Sequence, residues 1–143
     1  MRALTLRQPW ATAVARAGKT TENRSRPVSY RGPLAIHAGL AWDPGAEWDP
    51  ALIRAWPLIA GPCDPDRPAP DAPAFADRGV IVAVAQLVGC HLSERACCFT
   101  WGSERRWHWE LAHVRALSRP VAARGALGLW RPTPDVLAAL KTI

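Results

Sequence analysis

The chain has 143 residues, of which 49% are hydrophobic, and it carries a formal net charge of +6. A domain of this size buries roughly 70% of the surface that its unfolded chain exposes, so it needs neither a disulfide nor a metal in order to fold. No apolar run approaches the roughly 20 residues of a membrane span, and the first residues lack the long apolar stretch of a signal peptide. We therefore expect no membrane association and a cytoplasmic location.

The basic balance favours a polyanionic partner. A positive charge and a pI near 9.9 are typical of proteins that bind RNA or nucleotides. Sixteen of the eighteen basic residues are arginine, whose guanidinium holds phosphate with a fork of donors. A GC-rich genome produces the same arginine bias, so the charge alone leaves the partner open.

The first forty residues alternate apolar elements with a polar segment. Residues 4–6 predict a short strand. A helix follows, with Pro9 in its first turn, apolar residues at helical spacing, and Gly18 as its stop. Residues 19–24 are polar and read as extended. Residues 34–38 predict a second strand, with its leucine and isoleucine facing inward and its histidine on the opposite face.

The middle of the chain contains two Trp-Asp-Pro triplets, at residues 42–44 and 48–50. In each, an aspartate cap followed by proline at the first helical position predicts a helix start. The second helix is predicted over residues 51–58. Six prolines within residues 57–73 predict a surface loop without regular structure, which can also be a lid.

The C-terminal half reads mainly as strands. Residues 79–87 are β-branched or small and apolar, as in a strand buried on both faces. Residues 92–106 are ambiguous, and a helical turn followed by a loop is one interpretation. Alternation predicts a strand over 107–117 and a short one at 127–129, before a terminal helix capped by Thr133. The expected fold is α+β: one domain over residues 1–143, built as a small, partly closed mixed β-barrel with helices packed outside.

Three blocks near the N-terminus are specific when taken together, and two later blocks are mostly packing patterns. The first three are LTLRQPWA at 4–11, GKTTENRS at 18–25 and YRGPLAIHA at 30–38; the later two are GVIVAVAQL at 79–87 and the stretch 109–130. With these blocks the chain resembles the ASCH domain family of the PUA-like superfold over nearly its whole length, except the proline-rich loop. The resemblance implies a β-barrel beside a cleft floored by the early helix and the GKTTENR segment. It also implies RNA-linked roles: RNA binding, RNA cleavage, or hydrolysis of acylated cytidine.

One position departs from the acylcytidine amidohydrolases of this superfamily. Those enzymes carry a lysine and, three positions later, a threonine. Lys19 matches the lysine, but Glu22 stands where the threonine is expected. Glu94 and Glu104 are only approximate candidates for a third, acidic residue. Binding of RNA or a nucleotide is therefore the first hypothesis. The alternatives are a metal-independent ribonuclease, an N4-acylcytidine amidohydrolase as the weaker enzyme hypothesis, and a protein-interaction module.

Three residues are candidates for catalysis. Lys19 and Glu22 form a coupled pair if the segment bends near Gly18, and such a lysine donates or accepts a proton in a partly dry cleft. His37 is the third, as an acid or base. The competing interpretations are a solvated ion pair and a structural histidine. We expect substitution of Lys19 to affect ligand binding and to leave stability nearly unchanged, as for a surface residue.

Six residues of the same region are candidates for ligand binding: Gln8, Trp10, Asn23, Arg24, Tyr30 and Arg31. The amides can read a base edge, the arginines can hold phosphate, and the tryptophan can stack on a base. Their alternatives are capping or turn contacts for the amides, salt bridges or plain solvent exposure for the arginines, and core packing for Trp10. Arg105 and Arg106, beside a tryptophan, are candidates for a nucleic-acid edge.

The four cysteines do not show metal-ligand spacing. They are Cys63, Cys90, Cys97 and Cys98. Cys90, His91, Cys97 and His108 can be drawn as a zinc site, but no C-x-x-C pair exists. We therefore expect free, mostly buried thiols, no cofactor, no stoichiometric zinc, and a thermal transition that a chelator leaves unchanged.

Overall fold

A computed structural model of the chain describes residues 1–60, 68–94, 97–98 and 100–142. Its centre is a six-stranded mixed sheet with the order β2-β5-β4-β3-β1-β6. The strands are β1 (Arg2–Gln8), β2 (Thr21–Arg24), β3 (Gly32–Trp42), β4 (Val80–Leu92), β5 (Trp107–Ala122) and β6 (Leu129–Trp130). β1 and β3 are parallel and the other neighbours are antiparallel. No pairing joins the edge strands β2 and β6 within the described ranges, so the sheet is a half-barrel, and the α+β fold is confirmed.

The chain also forms three helices, of which the second packs against the first. They are α1 (Trp10–Arg16), α2 (Pro50–Ala60) and α3 (Pro134–Lys141), with 3₁₀ turns at Ala46–Trp48 and Pro73–Phe75. In the part of the chain that the structure describes, no helix combines the length and the apolar character needed to cross a membrane.

The central strand β3 is buried on both faces. Leu34 and Ile36 belong to the cluster that packs against Val14 of α1. Ala35, from the opposite face, packs in a cluster with Val136 of α3. Because neither face of residues 34–38 reaches solvent, this part of the strand is nearly continuously apolar.

Helix α1 is buried on two sides, which explains its alanines. Ala11 and Val14 face the sheet. Ala13 faces a second cluster with Leu52 of α2 and Phe75. Small side chains let α1 approach both neighbours, and the chain then leaves the helix at Gly18, at a φ of 67° that favours glycine.

The two Trp-Asp-Pro triplets behave differently. At the second, Asp49 Oδ1 accepts hydrogen bonds from the backbone N–H groups of Ala51 (2.8 Å) and Leu52 (3.1 Å), so the predicted helix start is confirmed. At the first, the helix prediction is wrong. The Asp43 carboxylate turns instead to Arg7 (3.3 Å) and to the indole N–H of Trp10 (2.7 Å), and the chain forms a turn.

The predicted bounds of the proline-rich loop are wrong at both ends. Helix α2 continues through Pro57 to Ala60, and Pro73–Phe75 form a 3₁₀ turn. The helix tolerates Pro57 because its apolar face, with Trp56 and Ile59, is buried against Phe75. Residues 61–67 lie outside the described residues.

The strands run longer than alternation predicts. β4 reaches Leu92 and β5 reaches Ala122, since the two pair with each other along their length. The short strand begins only at Leu129, and Leu127 is 98% exposed. The terminal helix begins after Thr133, as predicted. The helical turn predicted within 92–106 falls partly on residues 95, 96 and 99, outside the described ranges.

Candidate ligand-binding cavity

A cavity of about 1250 Å³ opens beside α1 and the polar segment that follows it. Residues of β1–β3, α2 and the segments 100–106 and 123–128 complete its walls. Seven of the predicted site residues line it: Trp10, Lys19, Glu22, Asn23, Arg24, His37 and Arg106. Four do not: Gln8, Tyr30, Arg31 and Arg105.

Lys19 and Glu22 form a buried ion pair on the cavity wall. The backbone is irregular from Gly18 to Thr20, and this bend brings the two side chains together. Lys19 Nζ donates to Glu22 Oε2 at 2.9 Å and to the carbonyl oxygen of Thr21. Only 3% of the lysine side chain and 10% of the glutamate side chain are exposed. The interpretation of Lys19 as a surface residue is therefore wrong.

Arg24 lies beside this pair with guanidinium donors to spare. Its Nε is 3.5 Å from Glu22 Oε1, and its guanidinium carbon is 5.4 Å from the centre of the Trp109 ring. Nε and Nη2 are buried and have no hydrogen-bond partner among the described residues. Unpaired buried donors cost free energy, so an anionic oxygen in the cavity would be favoured here.

His37 is buried against the opposite wall. Its Nε2 donates to the carbonyl oxygen of Ala123 at 3.0 Å, which leaves the lone pair on Nδ1. Nδ1 is buried without a hydrogen-bond partner among the described residues. Gly125 covers it, because a Cβ at that position would lie 2.8 Å from Nδ1. Burial lowers the pKa of His37, although hydrogen bonds to backbone groups oppose this, so the ring is neutral at pH 7.

Asn23 holds a loop in place through both the nitrogen and the oxygen of its side-chain amide. Its Nδ2 donates to the carbonyl oxygen of Trp101 (2.8 Å), and its Oδ1 accepts from the N–H of Ser103 (2.8 Å). The loop thereby places Trp101 on the cavity wall, where it also packs against the cluster that contains Phe75. Sequence reasoning missed Trp101, because nothing local separates it from the tryptophans of the core.

Four exposed arginines line the cavity, of which Arg7 pairs with Asp43. The other three are Arg54, Arg106 and Arg124. None of their side chains has an ion-pair or hydrogen-bond partner within the described part of the chain. The acidic residues Asp43 and Asp49, also on the walls, are engaged with their own neighbours. Arg54 was missed because it is distant in sequence from the polar segment.

Gln8 is a structural residue. Its side chain is fully buried, with Oε1 accepting from the N–H (3.2 Å) and the hydroxyl (3.0 Å) of Thr12, and with Nε2 donating to the carbonyl of Asp77 (2.8 Å). The capping alternative is therefore the correct one.

Tyr30 and Arg31 bind nearby backbone instead of lining the cavity. The Tyr30 hydroxyl donates to the carbonyl of Pro33, and the Arg31 guanidinium donates to those of Val28 and Tyr30. Arg105 is exposed beside the cavity-lining Arg106 but does not line it. Successive residues turn to different sides here, and Arg105 has a left-handed φ of 56°.

Next to the wall formed by residues 100–103, the structure also gathers four metal-ligand side chains. They are His91, Cys97, Cys98 and His108, whose ligand atoms all lie within 4.8 Å of one another. Cys90 is not among them. The absence of a C-x-x-C pair therefore does not exclude a metal site, because the fold brings these four side chains together from distant positions.

Comparison with known proteins agrees with this architecture. The sequence profile of the ASCH domain matches residues 4–121, which leaves the first two residues of β1, the last residue of β5, and the whole of β6 and α3 outside the match. No curated protein matches the chain. Since the profile covers most of the sequence, the chain belongs to the ASCH domain family.

Proposed function

We propose that the cavity binds single-stranded RNA or a nucleotide. The observation that carries this proposal is the group of arginines with unused donors around a cavity whose wall also includes two tryptophans. Arg54, Arg106 and Arg124 would hold phosphate oxygens at the mouth, and Arg24 would hold one at depth. A cytoplasmic location suits this ligand.

The size and chemistry of the cavity support a nucleotide-sized anion. Its volume of about 1250 Å³ exceeds the usual 300–1,000 Å³ of ligand pockets, so the cavity has room for one nucleotide and for part of a neighbouring one. Trp10 and Trp101 offer apolar ring surface, and stacking contributes roughly 1–3 kcal/mol per base. A concave, arginine-rich wall suits an anion better than the flatter, less charged core of a protein interface.

The groups proposed for catalysis favour binding over turnover. Lys19 and Glu22 satisfy each other at 2.9 Å, and the unprotonated Nδ1 of His37 is covered by Gly125. A general base must reach the proton that it abstracts, directly or through one water. With these groups engaged or covered, ribonuclease and amidohydrolase activity are the second hypothesis.

The test is anisotropy of a short, labelled, single-stranded RNA over a range of salt concentrations. If about four phosphates are neutralised, log K falls with log salt at a slope of about −3. Arg106→Ala and Arg124→Ala should each weaken binding and make the slope shallower by about 0.7. Arg119→Ala, an exposed arginine that does not line the cavity, is the matched control and should bind like the wild type.

Two results would overturn the proposal. One is absence of binding at low salt; the other is an equal loss of affinity in Arg119→Ala and the cavity variants. Parallel incubations with RNA and with acylated cytidine, analysed for products, distinguish binding from turnover. Product formation that Lys19→Ala and His37→Asn abolish would establish the enzyme hypothesis instead.

A further inference from the structure

We propose that His91, Cys97, Cys98 and His108 hold one Zn²⁺ ion in a four-coordinate structural site. His91 lies in β4 and His108 in β5, where the two are direct cross-strand partners. The two cysteines belong to the loop that connects these strands. This inference is independent of the proposed ligand of the cavity.

Three sulfur–nitrogen distances in the cluster match the edges of a zinc tetrahedron. Zinc binds sulfur at about 2.3 Å and imidazole nitrogen at about 2.0–2.1 Å, so tetrahedral angles separate S and N by about 3.6 Å. His91 Nε2 lies 3.3 Å from Cys97 Sγ and 3.6 Å from Cys98 Sγ. Cys97 Sγ lies 3.5 Å from His108 Nδ1. The other pairs of ligand atoms lie within 4.8 Å of one another. An ion at the centre therefore requires inward shifts of at most about 1 Å.

Both histidines are oriented by a second hydrogen bond. His91 Nδ1 lies 2.6 Å from Glu110 Oε1, and His108 Nε2 lies 2.8 Å from the carbonyl oxygen of Ser103. Because these oxygens accept, each ring carries its proton there and turns its other nitrogen, with a lone pair, toward the sulfurs. Histidine ligands of metals are held in this way by a carboxylate or a carbonyl.

Thiol–imidazole hydrogen bonds alone explain the cluster less well. With both rings neutral, two thiol protons satisfy at most two of the three short S–N contacts, and the third sets a sulfur lone pair against a nitrogen lone pair. A His91 ring protonated on both nitrogens would satisfy the third contact by donating from Nε2, and the metal assay below distinguishes that arrangement from a zinc site. A cation with both cysteines deprotonated turns all three contacts into favourable ones.

Two glycines allow this arrangement. A Cβ at Gly89 would lie 2.5 Å from the Glu110 carboxylate, which crosses β4 there to reach His91. A Cβ at Gly102 would lie 2.6 Å from His108 Cε1 and 2.9 Å from Cys98 Cβ. The loop can close over the cluster only because both positions lack a side chain.

The ligand set selects zinc and a structural role. Two thiolates and two imidazoles in a tetrahedron are typical of Zn²⁺, and the two thiolates neutralise its charge. A site with four protein ligands has no open position for a substrate, in contrast to a catalytic site. The ion would fasten the loop that follows β4 to the end of the β4–β5 ladder.

The first experiment measures metal content after purification without chelator. We expect one zinc per chain in the wild type and in Cys90→Ser, a control cysteine outside the cluster, and loss of zinc in Cys97→Ser and Cys98→Ser. Glu110→Ala should bind zinc about 10- to 100-fold more weakly, because His91 loses its orienting partner. Chelator should lower the melting temperature of the wild type.

A second measurement covers the case in which the cysteine variants do not fold. Chelated wild type is titrated with Co²⁺, and we expect thiolate charge-transfer absorption together with the intense d–d bands of a tetrahedral ion. Three results would overturn the site: metal-free protein without these bands, equal loss of zinc in Cys90→Ser, or a mass lower by two hydrogen atoms that maps to a Cys97–Cys98 disulfide.

Discussion

Glu22 is contacted by two cations, and this determines what its neighbours can do. Lys19 Nζ lies 2.9 Å from one carboxylate oxygen, and Arg24 Nε lies 3.5 Å from the other. The carboxylate thereby compensates a buried ammonium, while Arg24 keeps a buried Nη2 without a partner among the described residues. The lysine therefore organises the wall, and the arginine is the better group to contact an anion.

Lys19→Ala should destabilise the protein as well as impair the cavity. Removing one partner of a buried ion pair typically costs about 3–5 kcal/mol, because the other charge stays buried. We expect a loss near the lower end of this range, since Arg24 still neutralises part of the Glu22 charge. Urea unfolding at constant m-value measures it.

The double variant Lys19→Met/Glu22→Gln is the control for this prediction. It removes both charges, so its loss of unfolding free energy should be smaller than the sum of the losses in Lys19→Met and Glu22→Gln. If Lys19→Ala costs less than about 0.5 kcal/mol, the pair behaves as a solvated surface ion pair and our description of the wall is wrong.

His37 should make stability depend on pH. Burial lowers its pKa in the folded state below the value of about 6.5 of an unfolded chain. As pH falls through about 6.5, the unfolded chain binds a proton that the folded protein does not, so the free energy of unfolding decreases. Above this pH, His37 is neutral in both states and the protein keeps the full free energy of unfolding.

Urea unfolding of the wild type and of His37→Asn, between about pH 7 and pH 5, isolates this contribution as the difference between the two curves. The variant should lose less stability on acidification. His113→Asn, at an exposed position, is the matched control and should follow the wild type. If the free energy of unfolding of His37→Asn changes with pH as steeply as that of the wild type, the effect belongs to another group.

At the scale of elements, patterns within a few residues predicted helices and strands correctly. Features that depend on tertiary contacts could not be predicted in this way. Proline at the start of α1 and α3, the helical spacing that follows, and the apolar run of β4 are readable within a few residues. The bend after Gly18 was also readable, and it does bring Lys19, Glu22 and Arg24 to one cavity. Composition did not predict that α2 would pass through Pro57, because the packing of Trp56 on Phe75 is a tertiary contact.

The cysteine–histidine cluster illustrates the same limit. His91 and His108 are seventeen positions apart in the chain yet face each other across β4 and β5. That proximity depends on the strand register, which contains three irregularities between these strands. The adjacent cysteines of the connecting loop complete the four candidate ligands. A search for C-x-x-C pairs cannot find this pattern. Arg54 and Trp101 escaped prediction for a similar reason.

At the scale of the whole molecule, the two ends of the chain meet in the sheet. Ala3 of β1 pairs with Trp130 of β6, and α3 packs beneath the central strands. We therefore propose that residues 1–143 fold as one domain. Within it, the loop between β4 and β5 contacts both the candidate zinc site and the cavity. Ser103 accepts from His108 through its carbonyl, and through its N–H it donates to Asn23.

This shared loop predicts that zinc and the RNA or nucleotide ligand bind cooperatively. Zinc would fix the segment that carries Trp101 and Arg106, so the chelated protein should bind labelled RNA about tenfold more weakly than the zinc-loaded protein. Because coupling between two ligands is reciprocal, the RNA should strengthen zinc binding by the same factor.

Two variants test whether this coupling passes through the loop. Asn23→Ala removes the hydrogen bonds that join the loop to the cavity wall. In this variant, the ratio of RNA affinities of the zinc-loaded and the chelated protein should fall toward one. Arg54→Ala, on α2, should weaken both forms equally and preserve the ratio. Equal affinity of the two wild-type forms would mean that the loop keeps its cavity-lining shape without the metal.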